Sequence, residues 1–432
     1  MPSTLKPTAR QHTIFHYAWI IVIVATVVQG VGSAIRMSFG VMVEPLVFSF
    51  GWSPGTVGLA YGLMSIISAL FAPIAGWMGT RIGARKTMFF GSILFLIGML
   101  MTAKVNSLAN FYLSYGIIFG ISQSMLLVPV IPAVAGWFRR YIGLATGIMM
   151  VSWSLGPALM IQFMAILLEK NGWSNTFIII GIVGFLLLVF LILIFRDTPE
   201  QSGKLAYGTL PDDKPLVTTG DKVHRIQKTH ENYAYRTNSF WHLINIHFLG
   251  CAGHAIILIG IIPLGISRGL SPLTAAGILS LISIVSISTR FITPILSDFI
   301  GSKPVFFVSY LGQGLGVLLL LNATSVFDFY LFAILWAIPY GGEGTSFPVI
   351  NRQYYGHMPM GTIYGWQLLG AGLGMALGGI LPGLTFDMSG NYTIAIYLSS
   401  AFSLFGAIII FFLKSTNKSI IPNWPEIEPS KS

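Results

Sequence analysis

The sequence predicts an all-α membrane protein of twelve transmembrane helices in two pseudo-symmetric six-helix bundles. Three observations predict it. The chain repeats its punctuation at an offset of 218 residues: Gly51-Trp52-Ser53-Pro54 falls on Gly269-Leu270-Ser271-Pro272. At the same offset Gly83 falls on Gly301, Gly143 on Gly361, Gly147 on Gly365, Leu155-Gly156 on Leu373-Gly374 and Gly172 on Gly390. Hydrophobic residues make up 54% of the chain and charged residues 9%, against about 25% charged in a soluble domain. Positive charge is sorted between alternate loops instead of being spread along the chain.

Each element follows from chain length and loop chemistry. A helix crossing the hydrocarbon needs about 20 mostly apolar residues. Spans 1 to 6 are expected near 17–47, 55–78, 87–103, 109–133, 142–167 and 175–195. Spans 7 to 12 are expected near 241–266, 272–296, 304–321, 327–350, 361–385 and 393–413. The domains so defined are 1–195, a cytoplasmic linker at 196–240, and 241–432 with a short cytoplasmic tail. The linker is polar, with Pro211, Asp212, Asp213, Lys214 and Pro215, and shows no apolar period. Placing both termini in the cytoplasm puts nineteen of the 24 Lys and Arg residues inside and three outside. The remaining two, Arg36 and Arg290, lie within spans. A multi-pass protein of the cell membrane is therefore expected.

Composition excludes several classes. The apolar run from Tyr17 has no small-residue cleavage site after it, so it reads as span 1 and not as a signal peptide. A net charge of +10 invites a nucleic-acid reading, but the charge follows topology instead of forming a patch. The single cysteine, Cys251, forbids an internal disulfide and reads as packing. No HExxH, Walker or Cys/His ligand pattern occurs, so no enzyme, cofactor or metal is expected. A duplicated helix bundle without an ATP motif implies a secondary transporter driven by an ion or substrate gradient.

The loop between spans 2 and 3 reads Gly76-Trp77-Met78-Gly79-Thr80-Arg81-Ile82-Gly83-Ala84-Arg85-Lys86. Its second copy runs from Pro294 through Ser297, Asp298, Phe299 and Gly301 to Lys303. Together they resemble the signature of the major facilitator superfamily, Gly-x-x-x-Asp-Arg-x-Gly-Arg-Arg/Lys. The first copy has Thr80 where the signature has Asp; the second keeps Asp298 and has Phe299 for Arg. The resemblance implies that this loop latches the two halves on the cytoplasmic side, with Arg81, Arg85 and Asp298 as its charged members. Within the superfamily the chain is similar to the monocarboxylate transporter group and its bacterial relatives, which include oxalate/formate exchangers. Four stretches carry that likeness: Ile35-Arg36-Met37-Ser38 before Glu44-Pro45, Gly136-Trp137-Phe138-Arg139-Arg140 before Gly143, Thr289-Arg290 before Asp298, and Gly361-Thr362-Ile363-Tyr364-Gly365.

A charge at the bilayer centre costs roughly 2.5–3.5 kcal/mol on insertion scales, so such residues face a cavity or a partner. Arg290 lies eight residues before Asp298, about 12 Å into the membrane. Its planar fork matches a carboxylate in two hydrogen bonds, and the resemblance implies the same role. Arg36 lies about 28 Å from the start of span 1, where it would capture an anion from outside, snorkel, or pair with Glu44. Glu343 stands in a breaker-rich stretch of span 10. It either pairs with Arg290 or Arg352 as a gate, or binds and releases a coupling proton. His254 is the 218-residue partner of Arg36 and is a second proton or carboxylate contact. Tyr61, Gln123, Trp153, Trp366 and Gln367 lie on spans that line the cavity in the superfamily.

The resemblance also marks departures. Proton-coupled animal members carry an Asp one turn before the span 8 arginine; here that place is Ser286, so Glu343 or His254 would have to serve. Oxalate exchangers carry a second basic residue in span 11; this chain has none there, only Gln367, which argues against dicarboxylate exchange of that kind. The expected function is transport of a small organic monocarboxylate by alternating access, by proton coupling or exchange, in a protein acting as a monomer. An efflux carrier for amphipathic solutes and a dicarboxylate/formate antiporter are the alternatives.

Overall fold

The computed structural model describes residues 16–37, 39–52, 54–213 and 221–424. Among these residues the structure is built from helices, and ten of them are long and apolar enough to cross a membrane. The apolar helix Ile142–Pro157 and the pair Val326–Glu343 and Phe347–Tyr355 occupy the places of spans 5 and 10, consistent with twelve crossings. Span 1 is Tyr17–Met37, span 2 Pro54–Arg81, span 3 Ala84–Ala103 and span 4 Leu108–Gly136. Spans 5 and 6 run through one continuous stretch, Ser152–Ile194, broken at Gly172. Spans 7 to 9 are Asn238–Ser267, Pro272–Ile300 and Ser302–Leu321; spans 11 and 12 are Gly361–Ser389 and Thr393–Phe411.

The repeat glycines mark real turns. Gly51 and Gly269, Gly83 and Gly301, and Gly172 and Gly390 all have positive φ, between 68° and 99°. That left-handed region suits glycine, which has no Cβ to clash with the following carbonyl. The offset also brings the break in span 4 at Val128-Pro129 to the break in span 10 at Gly344-Thr345-Ser346, with Val128 falling on Ser346. Near the second break the Thr345 hydroxyl donates to the Gly341 and Gly342 carbonyls at 3.3 and 3.4 Å, Thr293 Oγ1 lies 2.8 Å from Thr345 Oγ1, and Ser297 Oγ donates to Ser346 Oγ at 2.8 Å. Such interrupted helices persist at membrane depth where protein or a cavity surrounds them.

One end of the bundle holds the start of span 1, the linker and the C-terminal tail; we call it the terminal face. There Tyr17 donates its hydroxyl to the Ile194 carbonyl at 2.6 Å, and His16 packs on Tyr207. The linker is not structureless. It contains a helix, Asp221–Tyr235, in which Ile226, His230 and Ala234 recur at the i, i+4, i+8 spacing of a buried face. His230 packs on Trp424 of the tail. Arg140 grips Asp213 with two hydrogen bonds of 2.6 and 3.1 Å. That contact lowers the Asp213 carboxyl to about 2.

The halves meet along two crossings. Span 5 crosses span 8 where Gly143 faces the Pro294 carbonyl and Gly147 the Phe291 carbonyl. Span 11 crosses span 2 where Gly361 faces the Gly76 carbonyl and Gly365 the Ala72 carbonyl. A Cβ at any of these four glycines would collide with backbone, so glycine is what permits the approach. Each contact of one crossing sits within a residue of 218 from its counterpart in the other, so the crossings are copies of one interface.

Candidate functional site

Asp298 of span 8 closes the first crossing. Its Oδ2 accepts the backbone N–H of Gly143 at 2.5 Å, at the N-terminal end of span 5, where unpaired amides and the helix dipole favour a carboxylate. Arg352, at the end of span 10, donates from Nη2 to the Ala135 carbonyl at the end of span 4. These two side chains bridge the halves at the terminal face.

Arg81 and Arg85 do not. Arg81 stays over the Trp77 ring, 5.7 Å from its centroid. Arg85 donates Nε to the Ile192 carbonyl at 3.0 Å, and its backbone N–H goes to Asp197 at 2.7 Å. Both serve their own half. Thr80 has no carboxylate to offer span 11; its methyl instead packs against Gly361. Side-chain contacts between the halves at this face are thus made by Asp298 and Arg352, and the first copy of the loop contributes shape.

Inside the bundle, the Arg290 guanidinium lies over the Tyr340 ring, 4.8 Å from its centroid, and its Nε has no partner. Arg36 donates Nη2 to Ser65 Oγ at 3.2 Å, rests 6.0 Å from the Tyr61 ring centroid, and also leaves Nε unpaired. The side chain of Glu44, its expected alternative partner, lies outside the described residues. Among the described residues Arg290 makes no ion pair.

Glu343 corrects an expectation. It pairs neither with Arg290 nor with Arg352. Its Oε2 accepts from His254 Nδ1 at 2.6 Å and from Gln313 Nε2 at 3.0 Å, and Tyr310 lies 3.4 Å from Oε1. The carboxylate is 1% exposed. Helix geometry explains the choice: the first helix of span 10 ends at Glu343, and the side chain turns towards spans 7 and 9, while Tyr340, one turn earlier, faces Arg290.

Gln367 is paired within its own half. It is fully buried and exchanges two hydrogen bonds of 2.8 Å with Asn351. A side-chain amide paired in this reciprocal way holds span 11 to span 10 and leaves one N–H donor. Gln123, by contrast, is equally buried and neither of its amide atoms has a partner; the same holds for Gln29 of span 1. Gln29 escaped sequence reasoning because an amide in an apolar run carries no charge signal. Ser286 lies 3.3 Å from Ser154 across the span 5–8 crossing, a contact between halves that a carboxylate would change. Trp153 and Trp366 are partly exposed packing residues.

The sequence model of the Major Facilitator Superfamily matches residues 22–359. The chain belongs to this superfamily. It is a multi-pass transport protein of that fold. It is 27% identical over 323 residues to an uncharacterized MFS-type transporter, YhjX, of Escherichia coli, covering 74% of this chain and 76% of the relative. It is 24% identical over 381 residues to the oxalate:formate antiporter of Oxalobacter formigenes, covering 83% and 84%. It is 22% identical over 414 residues to human monocarboxylate transporter 11, covering 91% and 82%. Among solved structures, the proton:xylose symporter XylE superposes with a TM-score of 0.73 at 14% identity, covering 94% of this chain and 98% of that one. FucP in the outward conformation superposes with a TM-score of 0.70 at 12% identity, covering 92% and 99%.

Proposed function

We propose that this transporter moves a small organic monocarboxylate, of the lactate, pyruvate or aromatic-acid kind, by alternating access. The observation that carries the reading is Arg290. It is a guanidinium inside a membrane span, held over the Tyr340 ring, without an ion-pair partner among the described residues. An unmatched charge at that depth is costly unless an anion visits it. The guanidinium fork fits a carboxylate, and the aromatic face behind it keeps the fork oriented. Arg36, Tyr61 and Gln123 supply the opposing wall from the first half. The two names that pair relatives with monocarboxylates and with oxalate and formate point to the same chemistry.

The reading includes an orientation. The terminal face, richest in Lys and Arg, is taken as cytoplasmic, in the cell membrane, with the monomer as the working unit. The Asp298–Gly143 and Arg352–Ala135 contacts then form the inner gate. Exchange of a dicarboxylate is the second reading, favoured by the presence of two guanidiniums within spans, Arg36 and Arg290, and disfavoured by the absence of a cation at Gln367.

Counterflow in proteoliposomes tests this. Labelled pyruvate is driven by unlabelled mono- and dicarboxylates, with Arg290→Ala and Arg290→Lys beside the parent. Exchange that is lost in both variants supports the reading, since Lys keeps the charge but not the fork. Exchange that persists in Arg290→Ala overturns it, and exchange only with dicarboxylates selects the second reading.

A further inference from the structure

Among the described residues one set of side chains brings a thiol, an imidazole and a carboxylate together. Cys251 and His254 stand three residues apart on span 7, and so on one face of the helix. Glu343 reaches them from span 10. One donor atom from each of the three lies within 4.8 Å of the others. Sequence spacing alone gives no metal pattern here, because the third member is 89 residues from His254.

The packing brings the donors close and holds them. A Cβ at Gly250 would collide with the Glu343 carboxylate and with the Tyr310 hydroxyl, so glycine lets span 7 press against the acid. Span 9 orients the carboxylate: Gln313 Nε2 donates to Oε2 at 3.0 Å, and the Tyr310 hydroxyl lies 3.4 Å from Oε1. On the far side of the imidazole, Nε2 lies 3.1 Å from Met375 Sδ. Supporting contacts of this kind aim metal ligands, and a partner for the second ring nitrogen fixes which nitrogen faces the ion.

The donor set selects the ion. Calcium and magnesium take oxygen ligands, whereas sulfur with nitrogen suits zinc and its heavier congener cadmium. A tetrahedral zinc with sulfur, nitrogen and oxygen ligands spaces its donors about 3.3–3.7 Å apart. The cluster brackets that range: His254 Nδ1 and Glu343 Oε2 stand 2.6 Å apart, and no pair exceeds 4.8 Å. On binding, Cys251 gives its thiol proton to water, and Nδ1 offers its lone pair while Nε2–H faces Met375. Thiolate and carboxylate then balance the two charges of the ion, so the loaded cluster adds no net charge to the membrane interior. Three protein ligands leave a fourth position to water. The His254 side chain is 13% exposed and Glu343 1%, so the ion enters on the imidazole side.

We propose that Cys251, His254 and Glu343 bind a thiophilic divalent cation of the zinc or cadmium class, and that the ion fastens span 7 to the break in span 10. Glu343 is the last residue of the first helix of span 10, and the break Gly344-Thr345-Ser346 follows it. An interruption is where a helix bends, so a loaded site slows the passage between open states. Ion binding itself needs no solute and stands apart from the carboxylate reading.

Cadmium titration of the purified full-length protein, first stripped with a chelator, tests the site. The chain has one cysteine, so an ultraviolet cadmium–thiolate charge-transfer band reports Cys251 alone. The parent is expected to show the band and to saturate at one cadmium ion per chain. Glu343→Gln and His254→Asn are expected to weaken binding by about 100-fold or more, since even an outer partner of a ligand is worth roughly 10–100-fold. A parent without the band overturns the proposal. So does parental affinity in both variants, which would place cadmium on a bare thiol. If one variant fails to fold, by size exclusion and thermal midpoint, the other gives the reading. Cys251→Ser is the third control: zinc should raise the thermal midpoint of the parent and leave that of Cys251→Ser unchanged. Zinc should also slow labelled-pyruvate counterflow in the parent, reversibly with chelator, and not in Cys251→Ser. Counterflow equally slowed in both, or unaffected in a parent that shows the band, overturns the tie between spans 7 and 10. A parent without pyruvate counterflow removes the carboxylate reading, while the band still decides the metal site.

Discussion

The backbone N–H of Gly143 donates to Oδ2 of Asp298 at 2.5 Å, and the bond joins the two halves of the chain. Its 218-residue counterpart joins Gly361 to Thr80, where a methyl group meets the glycine and no carboxylate is available. One interface is therefore duplicated in shape but not in charge. Asp298→Ala would remove a charged hydrogen bond of about 1.5–3 kcal/mol from one crossing. We expect the terminal face to open more readily, by roughly tenfold or more in the open-to-closed ratio. Electron–electron distances between labels at Ser202→Cys and Lys414→Cys, with Cys251→Ser, measure that ratio. An unchanged distance distribution would show that shape alone holds the face closed.

Shape is tested separately at Gly147. A Cβ there would collide with the Phe291 carbonyl. Gly147→Leu should therefore prevent the span 5–8 crossing from closing, abolishing counterflow while solute still binds from the side left open. The same replacement at Gly365 should behave alike, since its Cβ would meet the Ala72 carbonyl. Retained binding with lost exchange, measured by calorimetry and counterflow on one preparation, is the expected split.

The crossings show why the fold was legible in the sequence. Gly51, Gly83 and Gly172 and their second copies occupy turns that only glycine fills easily, so selection for backbone geometry left a readable spacing. Long apolar runs gave the spans for the same reason: lipid demands them. The site was legible in part. Arg36, Arg290 and Glu343 stand out because charge is costly in a span. Their partners do not stand out, because a partner is chosen by which face of a broken helix points where. Glu343 turns to His254 because the first helix of span 10 stops there. Gln367 turns to Asn351, sixteen residues back across a loop, and no spacing rule predicts that contact. The linker helix stayed hidden because Ile226, His230 and Ala234 make a thin apolar stripe.

Gln367 gives a prediction that separates structure from recognition. Gln367→Leu leaves the Asn351 amide buried without its partner, a loss of about 1–3 kcal/mol. The thermal midpoint in detergent should fall. The half-saturating concentration for transport should not move, because the amide is held by Asn351 of span 10. A raised half-saturation with an unchanged midpoint would instead put Gln367 in contact with solute.

The terminal face should also sense acid. His357, in the loop after span 10, lies against Arg352, whose other nitrogen donates to the Ala135 carbonyl across the halves. Burial first, and then the Arg352 charge, lowers the His357 imidazole from 6.5 to about 3. The sign follows from linkage. The closed face holds a neutral imidazole, while an opened face lets it return towards its ordinary value. Above pH 6.5 neither form is protonated and closure carries no penalty. As pH falls from 6.5 towards 3, the open form takes up a proton that the closed form refuses, so opening gains by up to about tenfold per pH unit. The labels at Ser202→Cys and Lys414→Cys should report a growing open fraction between pH 7 and pH 5. His357→Gln should flatten that response, because glutamine stays neutral throughout. A response that survives in His357→Gln would assign the acid sensitivity to another group.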